Sequence, residues 1–293
     1  MEKSASIFRF KKFNVMNERS AMKVNTDGVL LGAVMTLLPQ DRRLLDVGTG
    51  TGTIALMAAQ RMADGFPVEP GKMPGMTVQE QESVQSGFRV EAIDIDEPSA
   101  TEAAANFRNS PWGQHMSVTQ TSLEGYAADL AEEVRYDLIF SNPPYFDDSL
   151  EAPEERRNNA RHTGTGLSYR ELLEFSAKRL TEEGRFAIVL PADQERALTR
   201  HARMCGLHLF RMTRVRTVPR KAPSRVIAEF SRHRCETPED TVLTIQNEGK
   251  YTKEYLSLTR DFYLFACPIS FLLIPCAACG CTGDGIFPQP HTA

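Results

Sequence analysis

The residues best suited to chemistry are Ser141-Asn142-Pro143-Pro144-Tyr145, directly after the apolar run Tyr136-Asp137-Leu138-Ile139-Phe140. An apolar run that stops at a rigid Pro-Pro turn reads as a buried strand ending abruptly. The turn sets an amide and an aromatic ring at the strand's C-terminal edge, where open α/β sheets bind ligands. An amide oxygen, a backbone carbonyl beside proline and a stacking ring together suit a planar group bearing an NH2. The matching chemistry is methylation of nitrogen, and the plain alternative is a tight turn with an incidental asparagine.

A second motif lies upstream. Arg43-Leu44-Leu45-Asp46-Val47-Gly48-Thr49-Gly50-Thr51-Gly52 runs into the helical pattern Thr53 to Gln60. A strand, a glycine turn and a helix let backbone approach a ligand closely near a helix N-terminus. Asp94, at the end of the predicted strand Arg89 to Ile93, narrows the choice, because its carboxylate can accept two hydrogen bonds from ribose hydroxyls. No Lys-Ser/Thr follows the glycines, which argues against a phosphate-gripping loop. NAD binding stays open at this point, but it leaves Asn142 to Tyr145 without a role.

The elements that must position these groups alternate. Strand, helix, strand and helix run from Arg43 to Phe107, followed by a short strand at Ser117 to Thr121 and a helix from Leu123 to Glu133. After the strand Tyr136 to Ser141 come a helix at Ser168 to Leu180, a strand at Arg185 to Leu190 and a helix at Gln194 to Cys205. Leu207 to Val218 and Val226 to Phe230 read as a final strand pair. This alternation predicts a mostly parallel sheet covered on both faces. The length of 293 residues allows one large domain or one with appendages, and an apolar content of 41% supports a core. A net charge of −4 makes no bulk electrostatic case for nucleic acid. The N-terminus lacks an apolar core of signal-peptide length, and Phe262 to Ile274, interrupted by Pro268, is too short to span a bilayer. A cytoplasmic protein with no membrane association is expected, with Cys205 and Cys235 as reduced thiols.

The two motifs together resemble the class I S-adenosylmethionine-dependent methyltransferases. A closer resemblance covers roughly Phe8 to Phe265. Phe13-Asn14-Val15-Met16-Asn17-Glu18-Arg19-Ser20-Ala21-Met22-Lys23-Val24-Asn25-Thr26-Asp27-Gly28, Ala160-Arg161-His162-Thr163 and the stretch from Tyr251-Thr252-Lys253-Glu254-Tyr255 to Phe262-Tyr263-Leu264 are similar to the bacterial tRNA1(Val) N6-adenine methyltransferase family. The resemblance implies an α/β, Rossmann-like, doubly wound seven-stranded sheet with a terminal antiparallel strand pair. It implies S-adenosyl-L-methionine as cofactor and, as substrate, the adenosine just 3′ of the anticodon in one valine tRNA, with no obligate protein partner. Catalysis would fall to Asn142 and Pro143, whose oxygens each accept one N6 hydrogen, and to Tyr145, which stacks on the base with Phe146 beside it. Asp46, Gly48, Gly50, Gly52, Asp94 and Ile95, together with Asn142, would hold the cofactor. Thr26 and Asp27 would close over it, although Thr26-Asp27-Gly28 also reads as a helix N-cap. Ser122 stands where relatives often carry an acidic residue against the cofactor's adenine amine, and it can still accept a hydrogen bond.

For the RNA, Arg196 to Arg234 carries eleven basic residues against Glu229 alone. Phosphate contacts are expected from Lys11, Arg161, Arg216, Arg220, Lys221 and Arg225, with Arg9, Lys12 and His162 near them. Residues 1–265 read as a single methyltransferase domain. Within it, 64–87, rich in Gly, Pro, Gln and Glu, reads as a disordered insertion, and 266–293 as a poorly ordered Cys-rich tail. Cys276, Cys279 and Cys281, with Cys267 or His291, do not form the two spaced pairs of a structural zinc site, so no metal is expected. The rival readings are a protein glutamine N5-methyltransferase, an rRNA guanine-N2 methyltransferase and a non-catalytic RNA-binding module. Only about forty residues precede Leu45, too few for the helical domain that glutamine methyltransferases usually carry.

Overall fold

Asp46, Asp94 and Asn142 all end buried strands of one sheet, and the strand order brings them together. The computed structural model describes residues 6–20, 22–65, 87–144 and 167–264. The main-sheet strands, with the helices between them, are β3 (Arg43–Val47), α2 (Thr53–Asp64), β4 (Arg89–Asp94), α3 (Glu97–Arg108), β5 (Met116–Gln120), α4 (Leu123–Asp129), β6 (Tyr136–Ser141), α5 (Tyr169–Arg179), β7 (Leu180–Pro191), α6 (Glu195–Met204), β8 (His208–Arg216), β9 (Arg225–Ser231) and β10 (Glu239–Thr244). A hairpin of β1 (Ile7–Arg9) and β2 (Asn14–Met16) and the helix α1 (Thr26–Val34) precede them. The short pair β11 (Gln246–Asn247) and β12 (Lys250–Tyr251), then α7 (Lys253–Thr259), follow.

The sheet order is β10-β8-β9-β7-β6-β3-β4-β5, with β9 antiparallel to both β7 and β8 and the other pairs parallel. The chain thus winds from β3 out to β5, returns to β6 on the other side of β3 and continues outward. The gap beside β3 is the switch point of a doubly wound sheet, where ligands of such folds bind. Asp46 pairs with Ala92 on one side and Phe140 on the other. Carried two residues further, that register sets Gly48, Asp94 and Asn142 at one level at the C-terminal ends of their strands.

The class I architecture and its terminal antiparallel pair are as expected, but the sheet has eight strands rather than seven. The extra strand is β10, laid parallel on β8. Its segment EDTVLT buries only Leu243 and leaves Val242 53% exposed, so no apolar run announced it. The helix predicted over Leu123 to Glu133 stops at Asp129. Asp64 belongs to α2 and pairs with Lys12 at 2.6 Å, so the helix reaches into the stretch assigned to the insertion. The remainder of that stretch, from 66 to 86, and the Cys-rich tail lie outside the described residues.

Apolar side chains cover both sheet faces. On one, Leu30, Leu31, Leu56, Met57 and Phe107 of α1, α2 and α3 pack on Leu44, Val90 and Phe140. On the other, Leu172, Leu173 and Phe175 of α5 pack on Leu45, Ile139 and Ile188. Ser168 starts α5 with a reciprocal capping box to Glu171, which satisfies two otherwise orphaned N–H groups. Phe10 stacks on Phe13 at 4.5 Å and on Tyr263 at 5.9 Å, fastening the N-terminal hairpin to the turn after α7.

Candidate active site

The turn after β3 needs its glycines. Gly48, Gly50 and Gly52 have φ of +73°, +56° and +81°, a region that L side chains avoid. Gly48 N–H and Thr49 N–H both donate to the Ile93 carbonyl, at 2.9 and 3.0 Å, and Gly50 N–H donates to Asp94 Oδ2 at 2.8 Å. A Cβ on Gly52 would stand 2.5 Å from Phe107 Cε1, so the turn is pressed onto α3.

Asp46 supports this turn from behind. It is fully buried, and its Oδ2 accepts the Thr49 hydroxyl at 2.7 Å. Burial pushes its carboxyl up to about 7, opposed by the Thr49 hydroxyl, reinforced by the charge on Asp94 and opposed again by the Ala55 N–H. Asp94 stands at the sheet edge, accepting from Asp96 N–H at 2.9 Å as well as from Gly50. Burial raises its pKa too, against the backbone bonds from Asp96 and Gly50. Ile95 follows it with 49% of its surface exposed, an apolar face beside the Asp94 carboxylate.

From the other side come Ser141, Asn142 and Pro143, all buried. The Ser141 hydroxyl donates to the Val47 carbonyl at 2.7 Å, tying the end of β6 to the end of β3. Asn142, 4% exposed, has its amide nitrogen 3.5 Å from the Met22 sulfur. Tyr145, Arg161 and His162 lie outside the described residues. Between Met22 to Asn25 and the turn Gly48 to Thr51 runs a narrow cleft with Asn142 in its wall. A larger groove lies elsewhere, along α6 beside Tyr169 and Arg170, and holds none of the expected cofactor residues. Chemistry, rather than size, selects the cleft.

Several expected residues have other local duties. The N-cap of α1 is Asn25, whose Oδ1 accepts Gly28 N–H at 2.8 Å, so the cap is not in Thr26-Asp27-Gly28. Asp27 ion-pairs with Arg225 at 2.8 Å, joining a residue expected at the cofactor to one expected at the RNA. Ser122 caps α4, its Oγ accepting Gly125 N–H at 3.0 Å.

The arginine run divides in two. Arg211 donates to the Val34 carbonyl and pairs with the fully buried Glu229. Arg214 pairs with Glu195 and Asp240, Arg216 donates to Thr244 Oγ1 and the Pro219 carbonyl, and Arg232 donates to the Ala177 carbonyl. Lys11 Nζ donates to the Arg260 carbonyl. Arg196, Arg200, Arg203, Arg220, Lys221 and Arg234 are exposed, and their side chains bond to no other described residue. The first three fall at i, i+4 and i+7 on α6 and so form one stripe. Among the described residues, no helix is long and apolar enough to cross a membrane.

The contribution of Ser141 was missed because a serine at a strand end carries no distinctive pattern. Met22 and Asn25 lie in the N-terminal segment, where nothing in the residue pattern marks them as cleft residues.

Comparison with known proteins gives the family and the fold. The family described as RMKL-like, methyltransferase domain, matches residues 33–220. A protein of Parabacteroides distasonis named tRNA1(Val) (adenine(37)-N6)-methyltransferase is 42% identical over 258 residues, covering 88% of this chain and 97% of its own. One of the same name from Salmonella enteritidis is 35% identical over 270 residues, covering 90% and 100%. Among solved structures, a predicted O-methyltransferase from Agrobacterium tumefaciens superposes with a TM-score of 0.53 at 14% identity, over 80% of this chain and 96% of its own, a likeness of fold. The cofactor of this class of methyltransferase is S-adenosylmethionine. The residues present fit it: a glycine turn too tight for side chains, a carboxylate at the end of the next strand bonded to that turn, and an exposed isoleucine beside it. The chain belongs to the tRNA1(Val) (adenine(37)-N6)-methyltransferase family.

Proposed function

We propose that this protein transfers a methyl group from S-adenosylmethionine to N6 of adenosine 37, just 3′ of the anticodon, in tRNA1(Val). The observation that carries the reading is the seating of Asn142 and Pro143 at the level of Gly48 and Asp94, with Ser141 bonded across to Val47. S-adenosylmethionine, when bound, supplies a methyl group already activated on a sulfonium. Asp94 would take the ribose hydroxyls, Ile95 would lie against the adenine, and the glycine turn would give the close backbone approach that Asp46 supports. Thr26, Asp27 and Ser122 would hold the same cofactor.

Adenine N6 is a poor nucleophile because its lone pair is delocalised into the ring. The work left to the chain is to hold the NH2 with that lone pair directed at the methyl group. The Asn142 side-chain oxygen and the Pro143 carbonyl each accept one N6 hydrogen, and both stabilise the positive charge that grows on N6. Because Asn142 is 4% exposed, water competes little for these bonds. Tyr145 stacks on the base. Holding the two reactants in line supplies most of the remaining rate.

Loop nucleotides are already partly unstacked, so extruding adenosine 37 costs less than it would in a duplex. Phosphates are met by Arg220 and Lys221 in the turn between β8 and β9, by the α6 stripe of Arg196, Arg200 and Arg203, and by Lys11 and Arg161. Arg216 and Arg225 act from positions fixed by Thr244 and Asp27. A tRNA substrate places the protein in the cytoplasm. The test is nucleoside mass spectrometry after incubation with S-adenosylmethionine and unmodified tRNA1(Val). N6-methyladenosine at position 37, absent with Asn142→Ala, supports the reading. Methylguanosine in rRNA, or methylated protein glutamine in its place, overturns it.

A further inference from the structure

One buried carboxylate outside the expected site is tied to its wall. Glu102 of α3 is 3% exposed on a face otherwise made of Ser99, Ala103 and Asn106. Its Oε1 accepts Glu18 N–H at 2.7 Å and Arg19 N–H at 2.9 Å, and its Oε2 accepts Ser20 N–H at 2.9 Å. Three successive N–H groups facing one anion form a nest, the arrangement proteins use to bind phosphates, here filled by the protein's own side chain. One turn further along α3, Asn106 accepts Met16 N–H at 2.8 Å and donates to the Met16 carbonyl at 3.1 Å and the Thr51 carbonyl at 2.9 Å. Ser99 Oγ lies 3.0 Å from Ser20 Oγ. The helix therefore grips the N-terminal segment and the glycine turn at once.

That segment is the far wall of the cleft. A Cβ on Gly50 would meet Ser20 Oγ at 3.3 Å and the Met22 carbonyl at 3.5 Å, and Met22 contacts the Asn142 amide. We infer that Glu102 is a positioning residue for the cofactor: through the Glu18, Arg19 and Ser20 N–H groups it fixes the strap that closes the cofactor against the glycine turn. The inference rests on the cofactor assignment made above. The strap supplies backbone, and Glu102 supplies the charge that holds the backbone in one shape. Ionised, Glu102 accepts at both oxygens. A glutamine keeps the volume but turns one acceptor into a donor that opposes either the Ser20 N–H or the Glu18 and Arg19 pair.

The test compares wild type, Glu102→Gln and the milder Ser99→Ala, which removes the hydroxyl's bonds to Ser20 Oγ and to the Asp96 carboxylate. S-adenosylmethionine affinity is measured by calorimetry, and KM and kcat with tRNA are measured separately. Glu102→Gln is expected to raise the cofactor Kd and KM about tenfold, with kcat at saturating cofactor within about threefold and tRNA affinity unchanged. Ser99→Ala is expected to move the same constants by about threefold. Unchanged cofactor Kd in both variants, or a fall in kcat at constant KM, as lost active protein would give, overturns the inference. If Glu102→Gln does not fold, Glu102→Asp, which keeps the carboxylate but draws its oxygens back from the three N–H groups, is measured in its place, and the same outcomes decide. Should wild type bind S-adenosylmethionine yet leave tRNA unmethylated, the substrate reading fails while the calorimetric comparison still decides the role of Glu102.

Discussion

Ser141 and Val47 are joined by a 2.7 Å bond from hydroxyl to carbonyl, although 94 residues separate them in sequence. The bond crosses from the strand that ends in the proposed catalytic turn to the strand that ends in the glycine turn. It fixes how far Asn142 stands from the glycine turn. Ser141→Ala leaves the Val47 carbonyl buried and unpartnered, at a cost of roughly 1–3 kcal/mol. Urea denaturation should show that loss, and kcat should fall about tenfold or more as Asn142 drifts. Wild-type kcat in a destabilised variant would remove the staple from the catalytic account.

Asn142→Ala removes one of the two acceptors on N6. By analogy with the loss of a single oxyanion-hole donor, kcat should fall about 100-fold or more. The cofactor Kd should stay within about threefold. Single-turnover rates and calorimetry separate the two quantities, and a fully active variant would sink the mechanism.

Gly52→Ala sets a Cβ 2.5 Å from Phe107 Cε1 at a φ of +81°. Overpacking and a strained backbone together should cost about 2–4 kcal/mol. Adding Phe107→Leu, which has no Cε1, should recover the packing share and leave the backbone share. A double variant no more stable than the single one would show that the ring is not the obstacle.

Asp46 makes stability depend on pH in an unusual direction. Its carboxyl titrates near 3.8 when unfolded and at about 7 when folded, so between those values the folded state holds a proton that the unfolded state lacks. Stability therefore falls as pH rises through that window and levels off above it. Asp46→Asn keeps an acceptor for the Thr49 hydroxyl and removes the titration. The variant should gain on wild type as pH rises from 5 to 8, by roughly 2–3 kcal/mol. A difference in melting temperature independent of pH would place the carboxyl in the ordinary range.

Reversing the α6 stripe with Arg196→Glu, Arg200→Glu and Arg203→Glu should weaken tRNA binding. The slope of log affinity against log salt should decrease by about 2–3, near one unit per phosphate contact. Cofactor affinity should not move. An unchanged salt slope would assign these arginines to solvent.

Much of this site was readable because its residues advertise themselves. Asp46 to Gly52 and Asn142 to Pro144 combine rare backbone needs with polar groups at strand ends, and both motifs fell where the parallel sheet required them. The eighth strand was not readable, since β10 sits at an edge with most of its side chains exposed and needs no apolar pattern. Charge proved ambiguous for another reason. Arg211 and Arg214 have the same sequence signature as Arg200, yet one pairs with the buried Glu229 of the adjacent strand β9 and the other with two carboxylates on neighbouring elements. Glu102 was likewise invisible, because its three partners lie more than eighty residues away in sequence.

The common level of Gly48, Asp94 and Asn142 carries a consequence for how the protein is made. Each comes from a different strand, and the last is delivered only when β6 has paired beside β3. Such pairings between distant segments are slow, because the chain closes long loops before any contact rewards it. A nascent chain that has emerged only as far as β5 owns the glycine turn and Asp94 but neither Asn142 nor the Ser141 staple. Cofactor added during synthesis should therefore act late, favouring a sheet that is already complete rather than seeding one.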